Sequence, residues 1–346
     1  MSGQPSELNA LRELSARIGA DPLLTQGAGG NTSLKDEDVL WIKASGTWLA
    51  HARERDIMVP VAMKPLLDAV HTSDPRADRA QEFAIAELNP SGLRPSIETT
   101  VHGLMPHPVV VHVHCVDTVA LAVRTDCEAQ LGERLEGIKW ALVPYARPGL
   151  PLALAIDARL ASKPDVLVLA NHGLVVAANT VSEAEALLEK VKARLAARPR
   201  TTAAPDLSAL ETLADGSEYR LPADPVTHGV ALDGWATEIA RRGSLYPDHV
   251  IFLGETSVIA EPSETAAAVV KRIGKAPAAI IFPGVGVLMR KDINAGGDAM
   301  ARCLADVALR IPVDAPIHYL SEEDQDQLTN WDAEKYRQKL NRAASA

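Results

Sequence analysis

The 346-residue sequence contains little cysteine, few aromatic side chains and no excess of basic charge. Its three cysteines, Cys115, Cys127 and Cys303, form no Cys-x-x-Cys pair. This pattern is typical of free thiols in a reducing cytoplasm and argues against a disulfide framework. We interpret all three as small buried hydrophobic residues. Because aromatic residues make up only 4% of the chain, the cores are predicted to be aliphatic.

The charge balance and the lack of long apolar runs exclude several classes of partner. The formal net charge is −10, whereas a nucleic-acid groove needs clustered Lys and Arg to neutralise phosphates. No apolar run approaches the roughly 18 residues of a membrane span. The N-terminal segment lacks the basic region followed by an apolar region that is typical of a secretory signal. We therefore expect a cytoplasmic protein that binds neither nucleic acid nor membranes.

The length and the 47% hydrophobic content allow one large core or two domains. Residues 198–215 are rich in Pro, Thr, Ala and Asp and have little apolar periodicity, which is typical of a linker or of a loosely packed segment. We predict an α/β protein with a first domain over residues 1–200, a linker over 201–222 and a smaller α/β region over 223–346.

The sequence VVVHVH at residues 109–114 is the centre of the predicted site. Its β-branched side chains favour a strand, and alternation along a strand directs His112 and His114 to the same face. Two imidazoles on one rigid face can hold a metal ion. A lone histidine in such a strand is more often a hydrogen-bonded core residue, and the pair makes the two interpretations about equal.

Two further candidate ligands lie on other elements. His172 follows a second apolar strand predicted at residues 167–170, and Glu98 is expected in the first turn of a helix that begins at Ser96. Three histidines and one carboxylate are typical of a catalytic metal site, because structural zinc sites usually use cysteine. Glu98 by itself could simply interact favourably with the helix dipole.

Two glycine-containing loops, TQGAGGNTS at residues 25–33 and KASGT at residues 43–47, adjoin predicted strands. Either loop alone is more simply a turn, with Lys43 solvated. Two such loops in one domain favour an anion-binding pocket built from backbone amides and hydroxyl groups.

Periodicity and capping residues predict the other main elements. We expect helices at residues 6–19, capped by Ser6, at 152–161, at 182–197, capped by Ser182, at 295–309 and at 322–340. We expect strands at residues 39–42, 140–145, 249–253 and 279–282, with the last forming a hairpin through residues 283–286.

Five motifs together resemble the class II aldolase/adducin family. They are QGAGGNTS (26–33), KASGT (43–47), RPSIETTVH (94–102), VVVHVH (109–114) and LANHGLVV (169–176), in the order found in the family. The resemblance covers about the first 200 residues. It implies a central mixed or antiparallel β-sheet flanked by helices, and a homotetramer with active sites between subunits.

The C-terminal third resembles a different set of sequences. YPDHVIFLG, IIFPGVGVLMRK and NWDAEKYRQKL look like the segment that joins the aldolase to the dehydrogenase in bifunctional rhamnulose-1-phosphate aldolase/alcohol dehydrogenase proteins. This likeness implies an aldolase of deoxy-sugar metabolism with a C-terminal extension.

By motif position, the family resemblance implies a role for each site residue. The metal ligands would be His112, His114 and His172, with Zn²⁺ the expected ion and another divalent metal the alternative. Glu98 would be the acid/base, and a fourth ligand when substrate is absent. The substrate or phosphate pocket would be lined by Asn31, Ser45, Gly46 and Ser96. Ile97 stands where fuculose-phosphate aldolases carry a second serine, which implies a different way of holding a phosphate.

The implied activity is metal-dependent cleavage of a ketose, phosphorylated or free, to dihydroxyacetone or its phosphate and an aldehyde. The metal would act as a Lewis acid toward the enediolate, and Glu98 would move the proton on carbon. Burial beside Ile97 is expected to raise the pKa of Glu98, whereas a nearby metal is expected to lower it. The alternatives are an epimerase, dehydratase or decarboxylase on the same metal scaffold, and a non-catalytic adducin-like module. The retained histidines and acid disfavour the last of these.

Overall fold

The computed structural model of the chain describes residues 7–330. Ser6 and the predicted helical residues beyond 330 lie outside this range. Within it, the strands are β1 (Asn31–Asp36), β2 (Val39–Lys43), β3 (Met58–Ala62), β4 (Val109–Val113), β5 (Trp140–Val143), β6 (Val166–Leu169), β7 (Gly173–Ala178), β8 (Tyr219–Arg220), β9 (Val258–Ile259), β10 (Ala279–Phe282) and β11 (Gly286–Arg290).

The helices in the same range are α1 (Glu7–Ala20), α2 (Met63–His71), α3 (Thr99–Leu104), α4 (Val116–Ala122), α5 (Cys127–Arg134), α6 (Leu150–Asp157), α7 (Val181–Leu195), α8 (Leu207–Ala214), α9 (Gly229–Leu232), α10 (Gly234–Arg242), α11 (Pro247–Leu253), α12 (Ala266–Ile273), α13 (Ala295–Arg310) and α14 (Glu322–Thr329). Short 3-10 helices at Leu49–His51, Pro75–Asp78, Ala80–Phe83, Ala86–Leu88, Leu160–Ser162 and Pro225–His228 connect some of them.

The larger sheet is mixed, as predicted. Among the described residues it has seven strands in the order β3-β2-β1-β4-β7-β6-β5, and every neighbouring pair is antiparallel except β5 and β6. The predicted strand at 109–114 is β4, which lies at the centre of this sheet. Burial of its valines on both faces gives the site a rigid base.

Helices cover both faces of the larger sheet. Val109, Val111 and Val113 pack in one cluster with apolar residues of α1 and α7, whereas Val110 packs in another with residues of α3 and α6. Alternation along β4 therefore directs His112 toward the α3 side. The fold is α/β, with a central sheet flanked by helices and a second, smaller sheet.

The smaller sheet has the order β8-β11-β10-β9 within residues 7–330. The predicted hairpin is confirmed, because β10 and β11 pair antiparallel. Helix α13 packs this region against α4 of the first region, and Arg310 Nε lies 2.8 Å from Asp117 Oδ1. Because α8 and β8 fall within residues 201–222, regular structure begins inside the predicted linker; the domain division itself stays a prediction.

Three sequence-based assignments are wrong in detail. Residues 249–253, predicted as a strand, belong to α11, because Pro247 suits the first helical turn and so short an apolar run carries no clear period. Helix α7 begins at Val181, and Thr180 is its cap in place of Ser182. Thr180 Oγ1 accepts a hydrogen bond from the amide of Glu183. Helix α3 begins only at Thr99, so Glu98 occupies its N-cap position.

All three cysteines are free and buried, as predicted. Among the helices formed by residues 7–330, none combines the length and the apolar character needed to span a bilayer.

Candidate active site

The strand register brings two predicted site residues together. β1 pairs antiparallel with β4, and Asn31 lies directly opposite His112. His114 follows β4, while His172 lies in the turn that joins β6 to β7. The residue before it, Asn171, has φ +53°, a left-handed conformation that asparagine tolerates better than most residues. These elements place all three histidines at one end of the sheet.

The three histidines form a compact triad. Potential ligand atoms of His112, His114 and His172 all lie within 4.8 Å of one another, and the ring centroids are separated by 5.0, 5.0 and 5.2 Å. Nε2 of His112 and Nε2 of His114 are buried without a hydrogen-bond partner anywhere in residues 7–330. Orphaned buried nitrogens are costly unless a ligand satisfies them, so the triad fits a divalent metal ion.

Glu98 faces the triad and is 6% exposed. Its Oε1 lies 3.2 Å from His172 Nε2, and its Oε2 lies 3.5 Å from His112 Nε2. The backbone amide of Glu98 donates to the hydroxyl of Ser96 at 3.2 Å, so Ser96 shapes the turn that presents the carboxylate. This arrangement brings together the predicted acid and the predicted metal ligands.

The site favours an ionised Glu98 carboxylate and neutral imidazoles of His112 and His172. Burial raises the pKa of Glu98, but the attraction of the three histidines whenever they are protonated and the hydrogen bond from Asn31 outweigh burial, so the pKa lies below its usual range. Burial acts on Glu98 in the expected direction, but the overall pKa is lowered. Burial lowers the pKa of His172 to about 3 and also lowers the pKa of His112. Neutral histidines and a carboxylate are a donor set that zinc accepts.

The predicted substrate residues line one pocket beside the triad. This pocket encloses about 490 Å³ of empty space, including its open mouth, and its lining includes Asn31, Ser45, Gly46 and Ser96. Ser45 Oγ is buried and finds no hydrogen-bond partner among the described residues. The side-chain amide of Asn31 is engaged elsewhere: it donates to Ser96 Oγ at 3.1 Å and to Glu98 Oε2 at 2.7 Å.

Lys43 is buried, not solvated. It is 2% exposed, and its ammonium donates to the carbonyls of Ala28 at 2.7 Å and Gly30 at 2.8 Å. A buried ammonium must find acceptors, and backbone carbonyls of the glycine-rich loop supply them. Lys43 therefore fixes the shape of that loop, which the pattern of the sequence alone did not reveal.

The glycine-rich loop packs directly on the triad. A Cβ placed on Gly29 would lie 2.8 Å from Nδ1 of His114, so only glycine leaves room for the imidazole at this position. The amide of Gly29 donates to Gln26 O at 2.9 Å and closes a turn. This loop therefore supports the His114 ring, and the Gly29 amide is not available to an anion.

His102, the last residue of the RPSIETTVH motif, makes two buried hydrogen bonds that the sequence did not predict. It is fully buried, its Nδ1 lies 2.7 Å from Ser33 Oγ, and its Nε2 bonds Oδ1 of Asn31. The signal in the sequence is the spacing of four residues from Glu98, which places both on one face at the start of α3.

Asp248 is a second residue that sequence reasoning missed. It is 4% exposed, and its Oδ2 lies 3.2 Å from Nδ1 of His114. The C-terminal region also lines the pocket with Pro247, Ile251 and Leu328. No signal in the sequence indicated this contact, because Asp248 was placed beside a strand that is in fact the helix α11.

Comparison with known proteins identifies the family. The model of the class II aldolase and adducin N-terminal domain matches residues 10–197. The chain belongs to the class II aldolase and adducin family. The match covers the whole larger sheet and all five sequence motifs, and it ends before the smaller sheet begins.

One relative of this class II aldolase family member shares less than a third of the aligned residues. An uncharacterized oxidoreductase, YuxG, of Bacillus subtilis is 30% identical over 185 residues, which are 49% of this chain and 26% of that protein. The chain thus spans about a quarter of the length of this relative.

Two of the solved structures that are similar to this chain cover just over half of it. The N-terminal class II aldolase domain of a conserved protein from Thermoplasma acidophilum has 27% identity, a TM-score of 0.48 and coverage of 56% of this chain and 94% of its own. The L-fuculose-1-phosphate aldolase of Thermus thermophilus has 18% identity and a TM-score of 0.37, and the match covers 55% of this chain and 91% of that one.

Proposed function

We propose that this protein is a metal-dependent aldolase that cleaves a ketose, phosphorylated or free, to dihydroxyacetone or its phosphate and an aldehyde. The observation that carries the proposal is the buried triad of His112, His114 and His172, with two orphaned Nε2 atoms and the Glu98 carboxylate against it. Membership of the class II aldolase and adducin family supports the same conclusion. The proposed ion is Zn²⁺, held by the three histidines.

The chemistry divides between the metal and the protein. A bound divalent ion acts as a Lewis acid that stabilises negative charge on substrate oxygens. Glu98 accepts or returns the proton at the substrate carbon, because its carboxylate is ionised, buried and next to the triad. Asn31 holds one carboxylate oxygen and so orients Glu98 toward the pocket. Glu98 and the three histidines are all buried, which limits their contact with water.

The remaining polar groups of the pocket would orient the substrate. Ser45 Oγ lacks a partner within the described chain, so it is available to a substrate oxygen or a phosphate. Ser96 and Gly46 lie on the same wall. The loop held by Lys43 keeps this wall in place.

The family and the cysteines also support two proposals, one about assembly and one about location. We propose a homotetramer with active sites between subunits, which sedimentation velocity on the purified protein tests. We propose a cytoplasmic location, in keeping with three buried, unpaired cysteines; fractionation of cells that express the tagged protein tests it.

The first test combines metal analysis with a cleavage assay. Protein purified without chelator is expected to carry about one zinc per chain and to release dihydroxyacetone phosphate or an aldehyde from at least one member of a ketose panel. Glu98→Gln should retain the metal and lose about a hundredfold or more in kcat. Glu211→Gln, a change at an exposed residue of α8, is the matched control and should leave both unchanged.

Three results would contradict the proposal. The metal assignment fails if zinc does not bind even when supplied in excess. Full activity of Glu98→Gln would show that Glu98 does not transfer the proton at the substrate carbon. Metal without cleavage of any ketose redirects the assignment to an epimerase, dehydratase or decarboxylase that uses the same site.

A further inference from the structure

Asp248 is a buried carboxylate that reaches the triad from outside the family domain. The family match ends at residue 197, whereas Asp248 lies in α11 of the C-terminal region. Its Oδ2 is 3.2 Å from Nδ1 of His114, and it is 4% exposed. Burying an ionised carboxylate costs free energy unless a polar or charged group pairs with it. The imidazole of His114 is close enough to be such a partner.

Asp248 contacts Nδ1 of His114, whereas Nε2 is the proposed metal-binding atom. A neutral imidazole carries one proton, so donation from Nδ1 to Asp248 leaves the lone pair of Nε2 free. His114 Nε2 is the atom that is buried without a partner in the described structure. His112 shows the same arrangement, since its Nδ1 lies 3.0 Å from the carbonyl of Leu174 and its Nε2 is orphaned.

We propose that Asp248 is a positioning residue that fixes the orientation and tautomer of His114 as a metal ligand. The C-terminal region thereby completes the metal site within the same chain. A carboxylate behind a ligating histidine makes the imidazole a stronger donor and holds its ring in place. The inference rests on the proposed metal-binding role of the triad and goes beyond it, because it assigns a role to the C-terminal region.

The position of Asp248 is determined by contacts with the turn that carries His172. Asn171 Nδ2 donates to the carbonyls of Leu245 and His318, each at 2.8 Å. The amide of Leu245 donates to His249 Nδ1 at 3.3 Å, which closes the entry to α11. Helices α13 and α14 pack against α11. The segment that carries Asp248 is therefore tied to the same turn as a second metal ligand.

The test measures metal affinity in the full-length protein. Zn²⁺ dissociation constants are determined by competition with a chromophoric chelator for the wild type, Asp248→Asn and Asp248→Ala. We expect Asp248→Ala to bind about 10- to 100-fold more weakly. Asp248→Asn should lose less, because its amide oxygen can still accept from Nδ1. The visible spectrum of the Co²⁺-loaded protein should also change in Asp248→Ala, because the geometry of the ligand set changes.

A matched control separates this role from general stability. Asp298→Asn removes a buried carboxylate of the same region that pairs with Arg220, 2.7 Å away, and does not line the pocket. It should leave the zinc affinity and the cobalt spectrum unchanged. Loss of affinity in Asp298→Asn equal to that in Asp248→Ala would overturn the proposal.

A measurement on the wild type keeps the proposal falsifiable if the Asp248 variants do not fold. Two-bond ¹H–¹⁵N NMR spectra of the metal-free protein are expected to show the proton of His114 on Nδ1. A proton on Nε2, or wild-type affinity in both variants, would overturn the role of Asp248 and leave the proposed function standing. A wild type that binds no metal would overturn both.

Discussion

The side-chain amide nitrogen of Asn31 lies 2.7 Å from Oε2 of Glu98, and the amide oxygen of the same residue accepts from Nε2 of His102. Because Asn31 Oδ1 carries no proton, His102 must hold its proton on Nε2 and accept from the hydroxyl of Ser33 at Nδ1. Burial lowers the pKa of His102 to about 3, which keeps this ring neutral near pH 7. A buried hydrogen-bonded chain from Ser33 to Glu98 thus orients the proposed acid/base.

Asn31→Ala should raise the pKa of Glu98, because the hydrogen bond that it removes favours the ionised carboxylate. We expect the acidic limb of the pH profile of kcat to move to higher pH, with a loss of about tenfold or more at neutral pH. Asn9→Ala, an exposed change on α1, is the control. An unchanged acidic limb in Asn31→Ala would show that this bond does not tune Glu98.

Gly29→Ala should weaken metal binding. The added Cβ would lie 2.8 Å from Nδ1 and 3.1 Å from Cε1 of His114, so the ring or the loop must move. We expect a loss of about tenfold or more in zinc affinity, measured by chelator competition. Gly132→Ala is the control: its Cβ meets its nearest neighbour, Trp140, only at 4.0 Å, so the variant should keep wild-type affinity. Unchanged affinity in Gly29→Ala would mean that the loop gives way without disturbing the ligand.

Asn171→Gly should destabilise the protein, although glycine accepts the φ of +53° at this position. It removes the two hydrogen bonds to Leu245 and His318 carbonyls and a third, at 3.0 Å, between Oδ1 and His318 Nδ1. We expect a loss of about 2 kcal/mol or more in the free energy of unfolding in urea.

Asn171→Ala should cost about a further 1 kcal/mol, because alanine adopts the left-handed conformation less readily. The comparison of the two variants separates side-chain bonding from backbone strain. If the free energy of unfolding of Asn171→Gly equalled that of the wild type, the hydrogen bonds between the His172 turn and the C-terminal region would make no net contribution to stability.

Lys35 should make stability depend on pH. Burial lowers the pKa of Lys35 from 10.5 to about 7, and its ammonium bonds the carbonyl of Met105. Between about pH 7 and pH 10.5 the unfolded chain holds a proton that the folded chain has released. The free energy of unfolding therefore rises with pH across this window, by up to about 1.4 kcal/mol per pH unit from this group.

Below pH 7 both states are protonated, and the burial cost is constant. Lys35→Met removes the titration, so it should gain more stability relative to wild type at about pH 6 than at about pH 9 in urea unfolding. The same difference at both pH values would show that Lys35 remains charged in the folded protein.

Local chemistry made part of the site predictable. Four β-branched residues around His112 favour a strand, and the period of two directs His112 and His114 to one face whatever surrounds them. The strand predicted at residues 167–170, observed at Val166–Leu169, likewise placed His172 just beyond a strand end. Such inferences succeed because neighbouring side chains on one element are related by backbone geometry alone.

Other features depended on distant partners and were missed. The sequence around Lys43 is compatible with a solvated cation, and only the fold brings the carbonyls of Ala28 and Gly30 to its ammonium. Residues 249–253 have the composition of a strand, yet they lie in α11 because packing against α13 and α14 outweighs the weak preference of so short a segment.

Residues close together in the chain therefore specify the central strand, the shared face of two histidines and the motifs that identify the family. The tertiary structure alone decided that Asn31 bonds Glu98 across 67 residues of sequence. It also decided that Asp248, from beyond the family domain, contacts His114. Hydrogen bonds between buried groups act over about 3 Å in space at any separation along the chain, so only the folded packing specifies which groups they join.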